Sequence, residues 1–166
     1  MITIASEEKE LIEDIILQSK VCFVGMADVQ GFPYVLPMNF GYKDGVIYFH
    51  SAQTGSKITA IEAHPNVCIT FCPDPKLVYQ HEKVACSYRM KGGSVICRGK
   101  IVFVEEYAEK VEALNILMKR YSDRTFSYSA PAVHNVKIWK VVFTKASARI
   151  FGAPHPKPSR AGLLPE

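Results

Sequence analysis

Apolar and polar residues alternate along most of this chain with the two-residue period of half-buried strands, interrupted by stretches of helical spacing. Leu11, Ile12, Ile15 and Ile16 recur on one helical face, which predicts a helix over residues 6–19. Ser6 is its expected N-cap, and Glu7 and Glu8 favour the positive end of the helix dipole. From Lys20 the texture changes to short strands. Residues 21–27 form an apolar run, 28–31 a turn and 32–42 an extended run. Lys43-Asp44-Gly45 is a hairpin signal leading into a strand over 46–51. Two adjacent hairpins this tight predict an antiparallel meander. Residues 55–64 read as a short helix ended by Pro65, and 66–72 as another strand. Residues 73–83 are a polar loop with prolines. Two strands, 84–91 and 94–105, are expected around Gly92-Gly93. A second amphipathic helix covers 106–121, with Val111, Leu114, Leu117 and Met118 on one face, and a long last strand covers 136–151.

Six or seven antiparallel strands with two or three short helices define an α+β domain, mainly antiparallel β. A sheet of this size loses its exposed edges most simply by curling into a barrel. The expected layout is one domain over residues 1–151 and a tail over 152–166, which holds four prolines. The length of 166 residues and the 48% apolar content suit one globular domain and exclude a disordered chain. The N-terminus lacks a basic region followed by an apolar core, so the cytoplasm is the expected location. A formal net charge of +4 suits a small anionic ligand better than nucleic acid. The five cysteines, at 22, 68, 72, 86 and 97, fall mostly in apolar runs and are expected to be buried free thiols.

The richest chemistry lies between Tyr34 and Lys57. Pro33 and Pro37 interrupt a strand-like run, and a proline cannot donate to a ladder. Backbone groups near Pro37 are then either free for a flat heterocycle or merely the margin of a protected edge strand. Thr54-Gly55-Ser56-Lys57 opens the next helix. Hydroxyls, a glycine turn, a helix N-terminus and a lysine make an anion site, with phosphate as the natural occupant, or else an ordinary capped helix. The phosphate loop of nucleotide hydrolases, G-x-x-x-x-G-K-[ST], is absent. His50 ends the preceding strand, as a structural residue or as a phosphate or substrate contact. Tyr88-Arg89-Met90-Lys91 can reach an anion or be a solvated strand end. No metal site is expected, because Cys68 and Cys72 stand about 13 Å apart on an extended strand and no chelating spacing occurs. No nucleophile motif occurs either.

The runs PYVLPMNFGYKDGVIYFHSAQTGSK and CSYRMKGGSVICRGKIVFVEE resemble the pyridoxamine phosphate oxidase-like flavoproteins, and among them the nitroimidazole-resistance branch. The resemblance implies a split β-barrel and a homodimer with FMN at the subunit interface. It implies that Val35, Leu36, Pro37, Met38 and Asn39 lie along the isoalloxazine ring. His50, Ser51 and Lys57 would surround the phosphate, helped by Ser56. Ser94 would face the flavin of the other subunit, where Arg89 and Arg98 are charged candidates without an assigned role. The chain lacks the Arg–x–His ending of the oxidases themselves. It reads Gly92-Gly93-Ser94-Val95 where the branch carries Y-x-S-V. The implied activity is oxidoreduction, from a reduced nicotinamide through FMN to a small acceptor such as a nitroaromatic. A non-catalytic flavin- or haem-binding module for storage or sensing is the alternative. A plain oligomeric scaffold and a nucleic-acid binder rank below it.

Overall fold

The computed structural model describes residues 2–153. In chain order the elements are β1 (Ile2–Ser6), α1 (Lys9–Gln18), β2 (Cys22–Ala27), β3 (Pro33–Met38), β4 (Gly41–Lys43), β5 (Val46–Ala52) and α2 (Ser56–Ala63). There follow β6 (Asn66–Phe71), β7 (Lys76–Val78), a 3-10 turn (Ala85–Ser87), β8 (Arg89–Val104), α3 (Tyr107–Tyr121), α4 (Ala130–His134) and β9 (Val136–Ala153). The strands run in the order β3-β2-β6-β8-β9-β5-β4, with β1 added to β9 and β7 to β8. Every pairing is antiparallel. The sheet is curled but not closed, an α+β split barrel.

Alternation decides which side chains fill it. Val24, Ile47, Phe49, Ile69, Val95, Trp139 and Val141 are fully buried inside the sheet, and their strand neighbours take the other face, where Ile138 is buried in a second cluster with Val104 and Ala113. Trp139 stacks on Phe49 at 4.3 Å, and Phe40 meets Phe71 edge-on at 4.9 Å. α1 packs on β8 and β9 through Ile12, Ile15 and Ile16, and α3 packs on β4 and β5. Among the described residues no helix is long and apolar enough to cross a membrane.

Several expectations need correction. The first helix begins at Lys9, because residues 2–6 pair with β9 as a strand. Ser6 is therefore not the N-cap; that position is Glu8, whose N–H donates to Ser6 Oγ at 3.1 Å. The hairpins β2–β3 and β4–β5 do not form a meander, since they lie at opposite ends of the sheet. Gly92-Gly93 is not a turn, and β8 runs straight through it. A side chain on Gly92 would meet the Phe151 ring at 3.0 Å, and one on Gly93 would meet Ile15 at 2.9 Å. These glycines admit close packing rather than reversal. Residues 85–87 turn instead of extending. β7 and α4 carry no periodic signal long enough to announce them. β9 continues through Ala153, past the expected boundary at 151, and the rest of the proline-bearing tail lies outside the described residues. Cys22 and Cys97 are buried, and burial pushes both thiols up to about 12, which makes them inert. Cys72 and Cys86 are exposed, against expectation.

Candidate functional site

Residues 33–43 are nearly one strand that changes partners midway. Its first part, β3, pairs with β2, with Met38 opposite Cys22 and Pro33 opposite Ala27. Its second part, β4, pairs with β5 from Lys43 opposite Val46 to Gly41 opposite Tyr48. The turn between β4 and β5 has the two left-handed residues that a tight hairpin needs, Asp44 (φ 49°) and Gly45 (φ 81°). Continued backward, the β4–β5 register would set Asn39 opposite His50 and Pro37 opposite Ala52. Pairing stops before that, and β3 departs. The wedge between β3 and the end of β5 is the split of the barrel.

Antiparallel rungs alternate, and this alternation says which backbone groups face the wedge. Asp28 N–H donates to Phe32 O at 2.9 Å, which fixes the parity of the β2–β3 ladder. Hydrogen-bonded rungs then fall at Tyr34, Leu36 and Met38. The backbone groups of Val35, Pro37 and Asn39 point the other way, towards the wedge. Proline at 37 has no N–H, so a rung to Ala52 lacks its donor and the split is favoured. Val35, Pro37 and Asn39 are exposed, Leu36 is half-buried, and Met38 is buried.

Across the wedge, β5 delivers His50 and then α2. Gly55 caps α2 with φ 121°, a conformation that favours glycine. Gly55 O accepts the Ile58 and Thr59 N–H groups, which leaves the amides of Ser56 and Lys57 as first-turn donors. His50 has its pKa lowered, first by desolvation and then by the positive charge of Lys57. The two side chains therefore share one electrostatic environment, in which a second positive charge is disfavoured and an anion is welcome. Ser51 lies on the opposite face of the strand, buried, with its hydroxyl donating to Ala52 O at 3.0 Å. Ser56 is exposed at the helix entrance.

The chain does not bring Ser94 to this wedge. Ser94 sits opposite Arg149 on β8, and β2 and β6 intervene between β8 and β3, about 14 Å of strand spacing. Outward from β3, Val35 instead lines an open groove of about 580 Å³ with Gly25, Cys68, Arg98, Lys100 and Thr144. Arg98 thus belongs to the outer sheet face, whereas Arg89 Nε donates to Gly152 O at 3.1 Å.

Three residues of the neighbourhood escaped the sequence reading. Gln53 Nε2 donates to His134 O at 2.6 Å and to Val136 O at 3.2 Å, tying the end of β5 to α4. Arg120 and Tyr121, at the end of α3, grip the point where β3 leaves β5. Their partners are some 80 to 104 positions away in sequence, so no local signal announces them.

The fold is an open α+β split barrel in which the outer edge of β3 has no partner strand and α2 follows directly on β5. The profile of the family described as pyridoxamine 5'-phosphate oxidase matches residues 8–150, and the chain belongs to that family. No curated protein matches the sequence. Among solved structures, a candidate 5-nitroimidazole antibiotic resistance protein from Bacteroides thetaiotaomicron is 50% identical. That match covers 90% of this chain and 87% of the other, with a TM-score of 0.83. The flavocytochrome Anf3 from Azotobacter vinelandii shares the fold at 21% identity, 90% and 70% coverage and a TM-score of 0.76. A FAD and heme binding protein from Mycobacterium smegmatis does so at 13% identity, 97% and 93% coverage and a TM-score of 0.77.

Proposed function

We propose that the protein is an FMN-dependent oxidoreductase acting as a homodimer. The observation that carries this reading is the split, whose two sides differ in the way the two ends of FMN differ. One side offers backbone groups to a flat heterocycle, and the other offers positive charge and amides to a phosphate. Val35, Leu36, Pro37, Met38 and Asn39 line the ring, with the amides of Val35 and Asn39 as donors and the Pro37 carbonyl as an acceptor. His50, Ser56 and Lys57 hold the phosphate, with Ser51 behind them. Donors aimed at the ring favour negative charge on it, an electrostatic effect that makes reduction easier. Bound FMN supplies two-electron chemistry, from a reduced nicotinamide to a small acceptor such as a nitroaromatic. The 50% identity to a candidate nitroimidazole resistance protein supports that acceptor class.

The homodimer is supported by the outer sheet face. Phe23 is 44% exposed and Val35 61%, more apolar surface than a barrel wall facing water needs. A second copy laid there would cover the groove of Arg98 and Lys100 and bring Ser94 of the partner subunit to the flavin.

The test is direct. The purified protein is expected to be yellow, to release FMN identifiable by chromatography, and to bleach anaerobically with a reduced nicotinamide. A colourless protein that gains no flavin absorbance on incubation with FMN defeats the reading. Bound FMN that no nicotinamide reduces would leave storage or sensing instead of catalysis.

A further inference from the structure

We propose that Tyr121 and Arg120 form a clamp that fixes the vertex of the split, and so act as positioning residues for the flavin edge. This inference rests on the flavin reading above and deepens it. The β2–β3 register, continued two residues past the Cys22–Met38 pair, would set Phe40 opposite Lys20 as the next hydrogen-bonded rung. That rung is not made backbone to backbone. The Tyr121 hydroxyl occupies it, accepting from Phe40 N–H at 3.0 Å and lying 2.9 Å from Lys20 O and 3.3 Å from Phe40 O. Its single proton goes to one of those carbonyls. A side-chain rung therefore replaces a ladder rung at the residue where the strand changes partners.

Arg120 completes the grip. Its guanidinium lies 4.4 Å from the centre of the Phe40 ring. Its Nη2 lies within hydrogen-bond reach of Ile16 O at 3.0 Å, Leu17 O at 2.8 Å and Ser19 O, so its two protons are shared among the three carbonyls. These carbonyls lie at the end of α1, where a cation is favoured, and Ile16 O also accepts the Ser19 N–H at 3.2 Å. One turn of α3 earlier, the helix backbone runs against Gly41, where a side chain would meet Leu117 N at 3.0 Å. Helix, strand and α1 are thus locked together around Phe40, whose side chain is fully buried. Asn39 is the next residue, and Pro37 lies two further along. The direction in which their free groups point is set by the clamp, because a pinned vertex leaves the departing strand few angles to take. A site held to within about 0.5 Å needs such support from outside its own contacts.

The experiment compares the parent protein with Tyr121→Phe, which keeps the ring and deletes the rung, and Arg120→Lys, which keeps the charge and loses the fork. Tyr107→Phe, at the far end of α3, is the control. Two readouts are taken: hydrogen exchange of the Phe40 amide in flavin-free protein, and FMN affinity with the visible flavin spectrum. Tyr121→Phe is expected to speed Phe40 exchange, to weaken FMN binding about tenfold or more and to shift the flavin band, with the control unchanged. Unchanged Phe40 exchange would overturn the rung. Faster exchange with unaltered FMN affinity and spectrum would overturn the positioning role. If Tyr121→Phe does not fold, Arg120→Lys decides the matter by the same flavin readouts, and parent-like binding there defeats the clamp. Failure of the parent to bind FMN would instead overturn the flavin reading, and with it the positioning role, while Phe40 exchange still reports on the rung.

Discussion

At the residue scale the site turns on charge. Lys57 stands at the entrance of α2, close enough for its charge to act on His50, and in the proposed function it meets the phosphate. Lys57→Ala is expected to weaken FMN binding by about tenfold or more, measured by fluorescence titration. Lys43→Ala breaks only an exposed ion pair with Glu112, 3.0 Å long, and should leave FMN affinity unchanged. His50 adds a pH dependence whose sign follows from its lowered pKa. The folded state holds that proton less tightly than the unfolded chain does. The contribution of His50 to stability is therefore present above its unfolded value of about 6.5 and is lost as pH falls through the lower folded value. Flavin-free protein should lose melting temperature between neutral pH and pH 5 by more than a His50→Gln variant does. A bound phosphate reverses the local field and raises the pKa, so the His50 titration followed by NMR should move upward when FMN is added. A midpoint indifferent to FMN would place the phosphate elsewhere.

At the element scale, legibility depended on whether a signal was local. The β4–β5 hairpin, the start of α2 and the proline-interrupted β3 each carry their cause within a few residues, and each forms where the pattern places it. Gly92-Gly93 misled because glycine serves two purposes, and only the packed Phe151 and Ile15 side chains tell close approach from reversal. The opposite ends of the sheet taken by β3 and β4 were not legible either, since strand order arises from long-range pairing. Gly41 is a related case. A methyl group there would lie 2.9 Å from an Ile116 side-chain carbon and 3.0 Å from the α3 backbone, which cannot yield as a flexible side chain can. Gly41→Ala should therefore cost about 1–3 kcal/mol of stability in denaturant unfolding. Because α3 also carries the clamp, the same variant should bind FMN more weakly than its loss of stability alone explains.

At the scale of the whole molecule, the proposed function makes the wedge one half of a binding site that a second copy completes. It lies between β3 and β5 at the two ends of the sheet, and Ser94 stands on β8, separated from β3 by β2 and β6. The outer face beside the wedge carries Phe23, Val35 and the groove with Arg98 and Lys100, so one surface can serve both assembly and ligand enclosure. That coupling is testable because Phe23 faces outward from β2, opposite Pro37, and its loss leaves the buried core intact. Phe23→Glu places a charge in the centre of the proposed interface, where an unpaired carboxylate is costly to bury. The variant is expected to elute as a monomer in size-exclusion chromatography, to keep its far-ultraviolet circular dichroism and to emerge without bound flavin. A monomer retaining FMN at the parent's affinity would show that a single chain encloses the cofactor. A dimer unaffected by the charge would move the interface to another face of the barrel. Loss of both dimer and flavin, with the fold preserved, is the outcome that a shared site requires.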